Sequence, residues 1–296
     1  MSVAIRESSE AEAAAIAELL GRHSQAAFGE TEIAEAEVRH WFAMPEIWIR
    51  VAERDDRLVG YLDAVRRGEG SALDLDIRAV DREAAEALLA AGEAHANLKG
   101  IAMRVLVQGD DHVLRGVVQS DGWQPIRQSY QMRIELSDDL PEPTWPEGIS
   151  VRTMRPGEER RIYEANNAAF ADHWDFHPQP FEQWSSHEFG REDFDPTLVW
   201  LAEDGGELAG FSANGWHFSG DRQFGWIGIL GVRPEWRRRG LATALLHQSF
   251  RDFRPRGATR VGLGVDAQNT TGAVRLYERV GMHVARRNDS YEKRLA

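Results

Sequence analysis

Arg237, Arg238 and Arg239 stand side by side and lead into Gly240, Leu241 and Ala242. The run after them, Leu241 to Phe250, is helix-forming, and Trp226 to Val232 before them reads as a buried strand. Strand, basic turn with a glycine, helix start: this order suits the binding of phosphate by backbone. The first N–H groups of a helix have no intrahelical acceptor, and the helix dipole is positive there. Glycine at position 240 lets the backbone approach an anion without a Cβ in the way. The plain alternative is a basic surface loop before an amphipathic helix. A nucleoside P-loop does not fit, because no Gly-Lys-Ser/Thr follows the glycine. A second group able to do chemistry is Asp172-His173-Trp174-Asp175-Phe176-His177, with His217 further along. A histidine can take a proton directly or through a water. The same residues could line a solvated loop or ligate a metal. No metal is expected, since no supporting ligand pair recurs elsewhere at a set spacing.

The elements that must position these residues follow from pattern. In the C-terminal part, strands are expected near Ser150–Thr153, Val199–Ala202, Glu207–Trp216, Gln223–Val232 and Arg260–Asp266, and within Met282–Leu295. Helices are expected from Glu158 to Phe170, from Leu241 until Pro255 and Gly257 stop it, and over Thr271–Val280. Ala171 to Asp195 reads as a polar, aromatic-rich stretch in which Trp174, Phe176, Trp184 and Phe189 could line an apolar pocket. Strands with helices on both faces indicate an α/β or α+β sandwich.

The spacing Arg237-x-x-Gly240-x-Ala242 resembles the Q/R-x-x-G-x-G/A signature of the GNAT superfamily of acyl-CoA-dependent N-acyltransferases. Asn269 to Met282, with Leu276-Tyr277-Glu278 and Gly281, resembles that family's final helix. The likeness covers roughly Val151 to Leu295. It implies a mixed, mostly antiparallel sheet flanked by helices, with central strands that splay to admit the pantetheine arm of acetyl-CoA. It implies that Arg237 to Ala242 hold the coenzyme's pyrophosphate, that Leu230, Gly231 and Val232 supply a backbone oxyanion donor, and that Tyr277 protonates the leaving sulfur. Asn269 matches a position near the coenzyme; equally, it could cap a helix. Many relatives carry a glutamate on the strand before the basic turn. Here Phe224 to Val232 has no carboxylate or histidine. The base therefore stays open among Asp172, His173, Asp175, His177 and His217.

The chain also repeats itself. Val51-Ala52-Glu53 and Leu58-Val59-Gly60-Tyr61 recur as Leu201-Ala202-Glu203 and Leu208-Ala209-Gly210-Phe211, at a constant shift. Self-similarity of this length means two tandem domains. We expect an N-terminal domain over 1–137, a proline-rich acidic linker over 138–148 and a coenzyme-binding domain over 149–296. The N-terminal copy lacks the chemistry. Asp81 and Glu83 open its corresponding helix where no glycine stands, and Val118 lies opposite Tyr277. The layout is similar to tandem-domain acyltransferases, the type that includes mycothiol synthase, in which the first copy is commonly silent.

Composition bounds the rest. The chain has 296 residues, no cysteine and a net charge of −13. Disulfides, a zinc–thiolate site and a cysteine nucleophile are excluded, which agrees with direct transfer. The acidity argues against general nucleic-acid binding and suits a cationic acceptor. With no leader or membrane-length apolar run, a cytoplasmic protein is expected, monomeric or homodimeric, with no nucleic-acid or membrane partner. The activity this implies is N-acetyl transfer from acetyl-CoA to a small-molecule amine. The alternatives are a non-catalytic acetyl-CoA-binding regulator and a peptide or protein N-acetyltransferase.

Overall fold

The computed structural model of the chain describes residues 2–66, 68–69, 71–99, 101–218 and 221–294. Two compact units form, one from Met1–Ser129 with Arg286–Ala296 and the other from Tyr130–Ala285. In chain order the elements are β1 (Ala4–Glu7), α1 (Ala13–Phe28), α2 (Glu35–Phe42), β2 (Trp48–Arg54), β3 (Arg57–Arg66), β4 (Leu73–Ala79), α3 (Arg82–Lys99), β5 (Met103–Gln108), α4 (His112–Ser120) and β6 (Gln124–Glu135). They continue as β7 (Ile149–Thr153), α5 (Glu159–Phe170), α6 (Phe181–Phe189), β8 (Val199–Asp204), β9 (Glu207–Trp216), β10 (Phe224–Val232), α7 (Leu241–Phe253), β11 (Arg260–Asp266), α8 (Ala273–Arg279) and β12 (His283–Lys293). Helix α6 lies inside the stretch read from sequence as polar and aromatic-rich, with no helix expected. Trp184 is its one buried residue, so its periodic signal is weak.

In each unit four successive strands pair antiparallel and the next pair is parallel. The first unit runs β1–β2–β3–β4 and then β4–β5. The second runs β7–β8–β9–β10 and then β10–β11. This is a mixed, mostly antiparallel sheet flanked by helices.

The boundaries differ from the sequence expectation of 137 and 149. The chain passes from the first unit to the second inside β6, between Ser129 and Tyr130, and returns inside β12 at Arg286. The reason is strand pairing. Residues Asn288 to Lys293 of β12 pair antiparallel with β5 and so belong to the first unit. Residues 138–148 lie within the second unit, where arginines at the end of α7 and just after it bind Asp138 and Leu140. Arg251 donates to the Leu140 carbonyl at 2.9 Å, and Arg254 to Asp138 at 2.5 Å.

The internal repeat extends to irregularities. Strands β2 and β3 shift register between Ala52 and Glu53, and β8 and β9 do so between Ala202 and Glu203. A bulge at the same place in both copies is a built feature. Each copy also has an arginine fork at its first strand. Arg6 binds Glu12 at 2.7 Å and Glu53 at 2.6 Å; Arg152 binds Glu158 at 2.6 Å and Glu203 at 2.8 Å. In each, the fork ties the first strand to the start of the first helix and to the second strand. The helix after β5 and that after β11 end alike. The Trp123 amide reaches the Val118 carbonyl at 3.3 Å, and the Met282 amide reaches the Tyr277 carbonyl at 3.0 Å.

The second unit's core forms under α7. Leu241, Ala244, Leu245, Phe250 and Phe253 are buried at helical spacing. A buried polar knot fixes the helix on the sheet. Asn214 on β9 donates to the Leu198 carbonyl at 2.8 Å and to Ser249 Oγ at 3.1 Å, and Ser249 donates to the Leu245 carbonyl at 2.8 Å. Every polar atom in this knot has a partner, as burial requires.

The fork makes a pH prediction. Its hydrogen bonds from Arg152 hold the Glu158 carboxyl at about 2, against an ordinary 4.5. A lowered folded value contributes stability above pH 4.5, and the contribution is lost as pH falls toward 2. Glu158→Gln is expected to lower stability near neutral pH by about 1 kcal/mol, between an exposed pair and a charge-assisted bond. In urea titrations the gap from wild type should close below pH 4.5. An equal gap at about pH 2 and at about pH 7 contradicts the assignment.

Candidate active site

Helix α7 begins bare. Its N-cap is Gly240, left-handed at φ 89°, ψ −5°, with no side chain to cap the helix. The Ala244 amide is the one that reaches the Gly240 carbonyl, at 3.0 Å, so the amides of residues 241–243 precede the first intrahelical bond. A Cβ at Gly240 would meet nothing within 4 Å; the glycine is set by its φ and faces open space. Arg238 is also left-handed, at φ 60°. Positive φ therefore occurs twice within three residues of this turn.

The strand leading to this turn parts from its neighbour. Pairing between β10 and β11 runs from Phe224↔Arg260 to Ile227↔Leu263 and stops, though the strands continue to Val232 and Asp266. On the other side, β10 shifts register against β9 between Ile227 and Ile229. The bulge bends β10 away and leaves backbone groups of its second half without a β11 ladder. A cavity of about 1070 Å³ fills the divergence. That is the upper end of the range for small-molecule clefts. Its lining runs from Arg238, Gly240 and Thr243 at the turn end to Ile227, Leu263 and Tyr277 where the strands part.

Tyr277 is the buried residue of α8. Burial pushes its phenol up to about 12, so the hydroxyl stays protonated at neutral pH. Among the described residues that hydroxyl has no hydrogen-bond partner. A protonated, unengaged donor at the apolar end of a cavity can give a proton to a leaving group. The start of α8 is held by a turn. Asp266 accepts from the Gln268 amide at 2.9 Å, and Asn269 accepts from the Thr271 amide at 2.8 Å. The N-cap itself is Gly272, at φ 84°. Asn269 thus shapes the turn before the helix and also lines the cavity.

The cavity brings together Leu230, Val232, Arg237, Arg238, Gly240, Leu241, Ala242, Asn269 and Tyr277 from the coenzyme set, and Asp172 and His173 from the acceptor set. Others fall outside its lining. Gly231 packs backward, where a Cβ would lie 2.6 Å from the Phe211 ring. Arg239 is exposed. Asp175 and His177 pair with each other at 3.2 Å. His217 packs at a tilt in an aromatic group, its ring centroid 4.3 Å from that of Trp226 and 4.6 Å from that of Phe224. Burial pushes the His173 imidazole below its ordinary value, Asp172 pulling the other way. It feels the charges of Arg237 and Asp266, at the turn end of the cavity, away from the Ile227–Tyr277 end. Asp172 is engaged by Arg237 at 2.5 Å, and its carboxyl lies below the ordinary value for that reason. Sequence reasoning missed Trp236, which lines the cavity and donates from Nε1 to Asp204 at 2.8 Å. It also missed Phe170 and Thr243; neither has a spacing that marks it.

The first unit parts in the same way. Pairing of β4 with β5 runs from Leu73↔Met103 to Leu75↔Val105, while β4 continues to Ala79. Its helix start is closed, however. Asp81 accepts from the Ala84 amide at 3.0 Å and binds Arg54 at 2.7 Å. A carboxylate occupies the place an anion would take, and Arg54 holds its pKa down. Val118 is fully buried in the apolar core where the other copy has Tyr277.

Comparison with known proteins follows this geometry. The model of the Acetyltransferase (GNAT) family matches residues 160–282. A mycothiol acetyltransferase of Streptomyces coelicolor is 36% identical over 199 residues, 65% of this chain and 62% of the relative. The chain thus spans under two thirds of that relative's length. A mycothiol acetyltransferase of Stackebrandtia nassauensis is 33% identical over 299 residues, 96% of this chain and 97% of its own. The crystal structure of a GCN5-related N-acetyltransferase from Sphaerobacter thermophilus superposes with a TM-score of 0.79 at 30% identity, covering 98% of this chain and 95% of that one.

The turn can be tested apart from any ligand. Gly240→Ala forces an L-residue to φ 89° with no steric contact to blame. It should lower unfolding free energy by about 1 kcal/mol. Gly264→Ala, on the cavity wall with open space at its Cβ and no positive φ, should change it by under about 0.5 kcal/mol. Equal losses in denaturant titrations would place the cost elsewhere than in the left-handed cap.

Proposed function

Because the chain belongs to the acetyltransferase (GNAT) family, we propose that its second unit moves the acetyl group of acetyl-CoA directly to the amine of a small molecule. One observation carries this reading: a bare helix start and a tyrosine whose hydroxyl has no partner among the described residues line one cavity where two strands part. The amides of residues 241–243 and the exposed side chain of Arg238 would take the pyrophosphate. The unpaired edges of β10 and β11 would take the amide-bearing arm, which needs donors and acceptors in line. That places the thioester beside Ile227, Leu263 and Tyr277.

There the amine nitrogen attacks the thioester carbonyl. A backbone N–H of β10 near Leu230 would stabilise the oxyanion. The C–S bond then breaks, and Tyr277 gives its proton to the thiolate. The phenol's high pKa does not forbid this, because the same burial raises the departing thiol. Among the described residues no hydrogen bond or charge interaction joins Tyr277 to the Asp172, His173 or Asp266 of the cavity lining, and in this reading the amine's proton leaves to solvent. This favours an acceptor whose amine is substantially neutral near pH 7. The same gap supports a second reading, a protein that holds acetyl-CoA without turnover. The relatives are named for mycothiol, and mycothiol-related amines are the first acceptors to assay.

Titration calorimetry should find one acetyl-CoA per chain. Gly240→Asp should weaken binding by roughly 10-fold or more, since a carboxylate at the helix start repels a pyrophosphate. Two equal sites, or unchanged affinity in the variant, would remove the turn from the site. Tyr277→Phe should reduce turnover on the order of 10²–10⁴-fold, with acetyl-CoA affinity nearly unchanged. Unchanged turnover would make solvent the proton donor. A screen of amines by thiol release that finds none accepted would favour the holding role.

A further inference from the structure

Arg237 opens the basic turn, yet its guanidinium points back into the protein. Nη1 donates to Asp172 Oδ2 at 2.5 Å and Nη2 to Asp172 Oδ1 at 3.0 Å. Nη2 also donates to the Ala169 carbonyl at 2.8 Å, and Nε to the Val232 carbonyl at 3.2 Å. One side chain therefore joins three pieces: the last turn of α5, the residue two beyond it, and the end of β10. Ala169 is among the last residues of α5, whose carbonyls have no intrahelical donor. Arg237 supplies that donor from outside the helix.

The joined pieces are the cavity's walls. Ala169, Phe170, Asp172 and His173 line it on one side, and Val232 and Arg237 line it beside them. Phe170 and His173 form an edge-to-face pair at 4.6 Å, and the His173 amide reaches the Phe170 carbonyl at 2.9 Å. Position 172 sits inside that pair's turn. Whatever fixes Asp172 fixes where the two rings stand over the cavity.

We infer that Arg237 and Asp172 form a clamp that sets the cavity's width at its turn end, and that both are positioning residues for the coenzyme, with Asp172 taking no part in acceptor chemistry. This rests on reading the cavity as the acetyl-CoA site. The clamp requires the fork of an arginine. A lysine presents a point charge and cannot hold a carboxylate edge-on while also reaching two carbonyls. Asp172 is 53% and Arg237 26% exposed at the side chain, so the ion pair alone is screened by water. The two carbonyl bonds, fixed by the helix end and the strand end, give the fork its single orientation.

The test uses the full chain and acetyl-CoA as the probe, in calorimetry with thermal unfolding in parallel. Asp172→Asn and Arg237→Lys should each weaken acetyl-CoA binding by about 10-fold, the scale of one charge-assisted bond. The double variant should lose little more than either single one, because both remove the same joint. Asp172→Glu keeps a carboxylate for the fork and should recover affinity to within about 3-fold of wild type. The unfolding midpoints should stay close, since water screens the ion pair. With an accepted amine in hand, KM for acetyl-CoA should rise while kcat holds. Unchanged affinity in both single variants overturns the clamp and leaves the coenzyme site standing. Additive losses, or no recovery in Asp172→Glu, overturn it too. A fall in kcat with KM unchanged returns Asp172 to the acceptor site. A wild-type chain that binds no acetyl-CoA overturns the functional reading, and the clamp with it.

Discussion

A helix that starts beside an opened sheet must find acceptors for its first amides from outside the helix. In the second unit the amides of residues 241–243 meet this constraint, and the surrounding structure follows from it. Gly240 has no side chain to satisfy them and takes the left-handed backbone. The bulge in β10 and the early end of its pairing with β11 open space along the same line. Such a start is unfavourable when empty and favourable when an anion arrives, because the dipole and the bare donors act together. The polar knot of Asn214 and Ser249 then matters. It holds α7 at a fixed place on the sheet, so the amides face one point.

The first unit answers the same constraint in the other way. It keeps the parting strands, the bulge and the arginine fork at its first strand. Its helix start is met by Asp81, which Arg54 holds in place. Gly60 and Gly210 show that both copies also keep the same close packing under this helix. A Cβ at Gly60 would lie 2.6 Å from Leu88 on α3, and one at Gly210 would lie 3.2 Å from Leu241 on α7. Apolar packing and strand register therefore preserve the scaffold, while the two copies differ at one helix start, bare in one and capped by Asp81 in the other. Fold and site are separable in this chain, and the duplication displays them side by side.

The three arginines of the turn divide by geometry. Arg237 is fully used within the protein, through Asp172 and two carbonyls. Arg238 and Arg239 are exposed and make no ion pair among the described residues. In a chain of net charge −13, most cations are held by carboxylates, as in the forks of Arg152 and Arg256. Two uncommitted arginines at a bare helix start make a local positive region in an acidic protein. Positive charge of this kind favours anions near the helix start.

Much of this was legible in the residues themselves. The constant shift between Gly60 and Gly210 reported two copies, because matching strands need matching apolar residues. Gly240 and the apolar period after it reported a helix with a glycine cap, and Asp81 reported a closed one. These are local facts, fixed by backbone preference and by charge near a helix end. What the sequence by itself could not decide was contact across distance. It placed a border at 138–148, whereas the chain crosses between units within β6 and β12, since pairing of β12 with β5 is a matter of tertiary register. It grouped Asp172, His173, Asp175, His177 and His217 by chemical type. Only the fold separated them, turning Asp172 onto Arg237, His173 into the cavity wall and His217 into an aromatic cluster. Residue type sets what a side chain is able to do, and the direction in which the folded backbone points it sets which of those things it does.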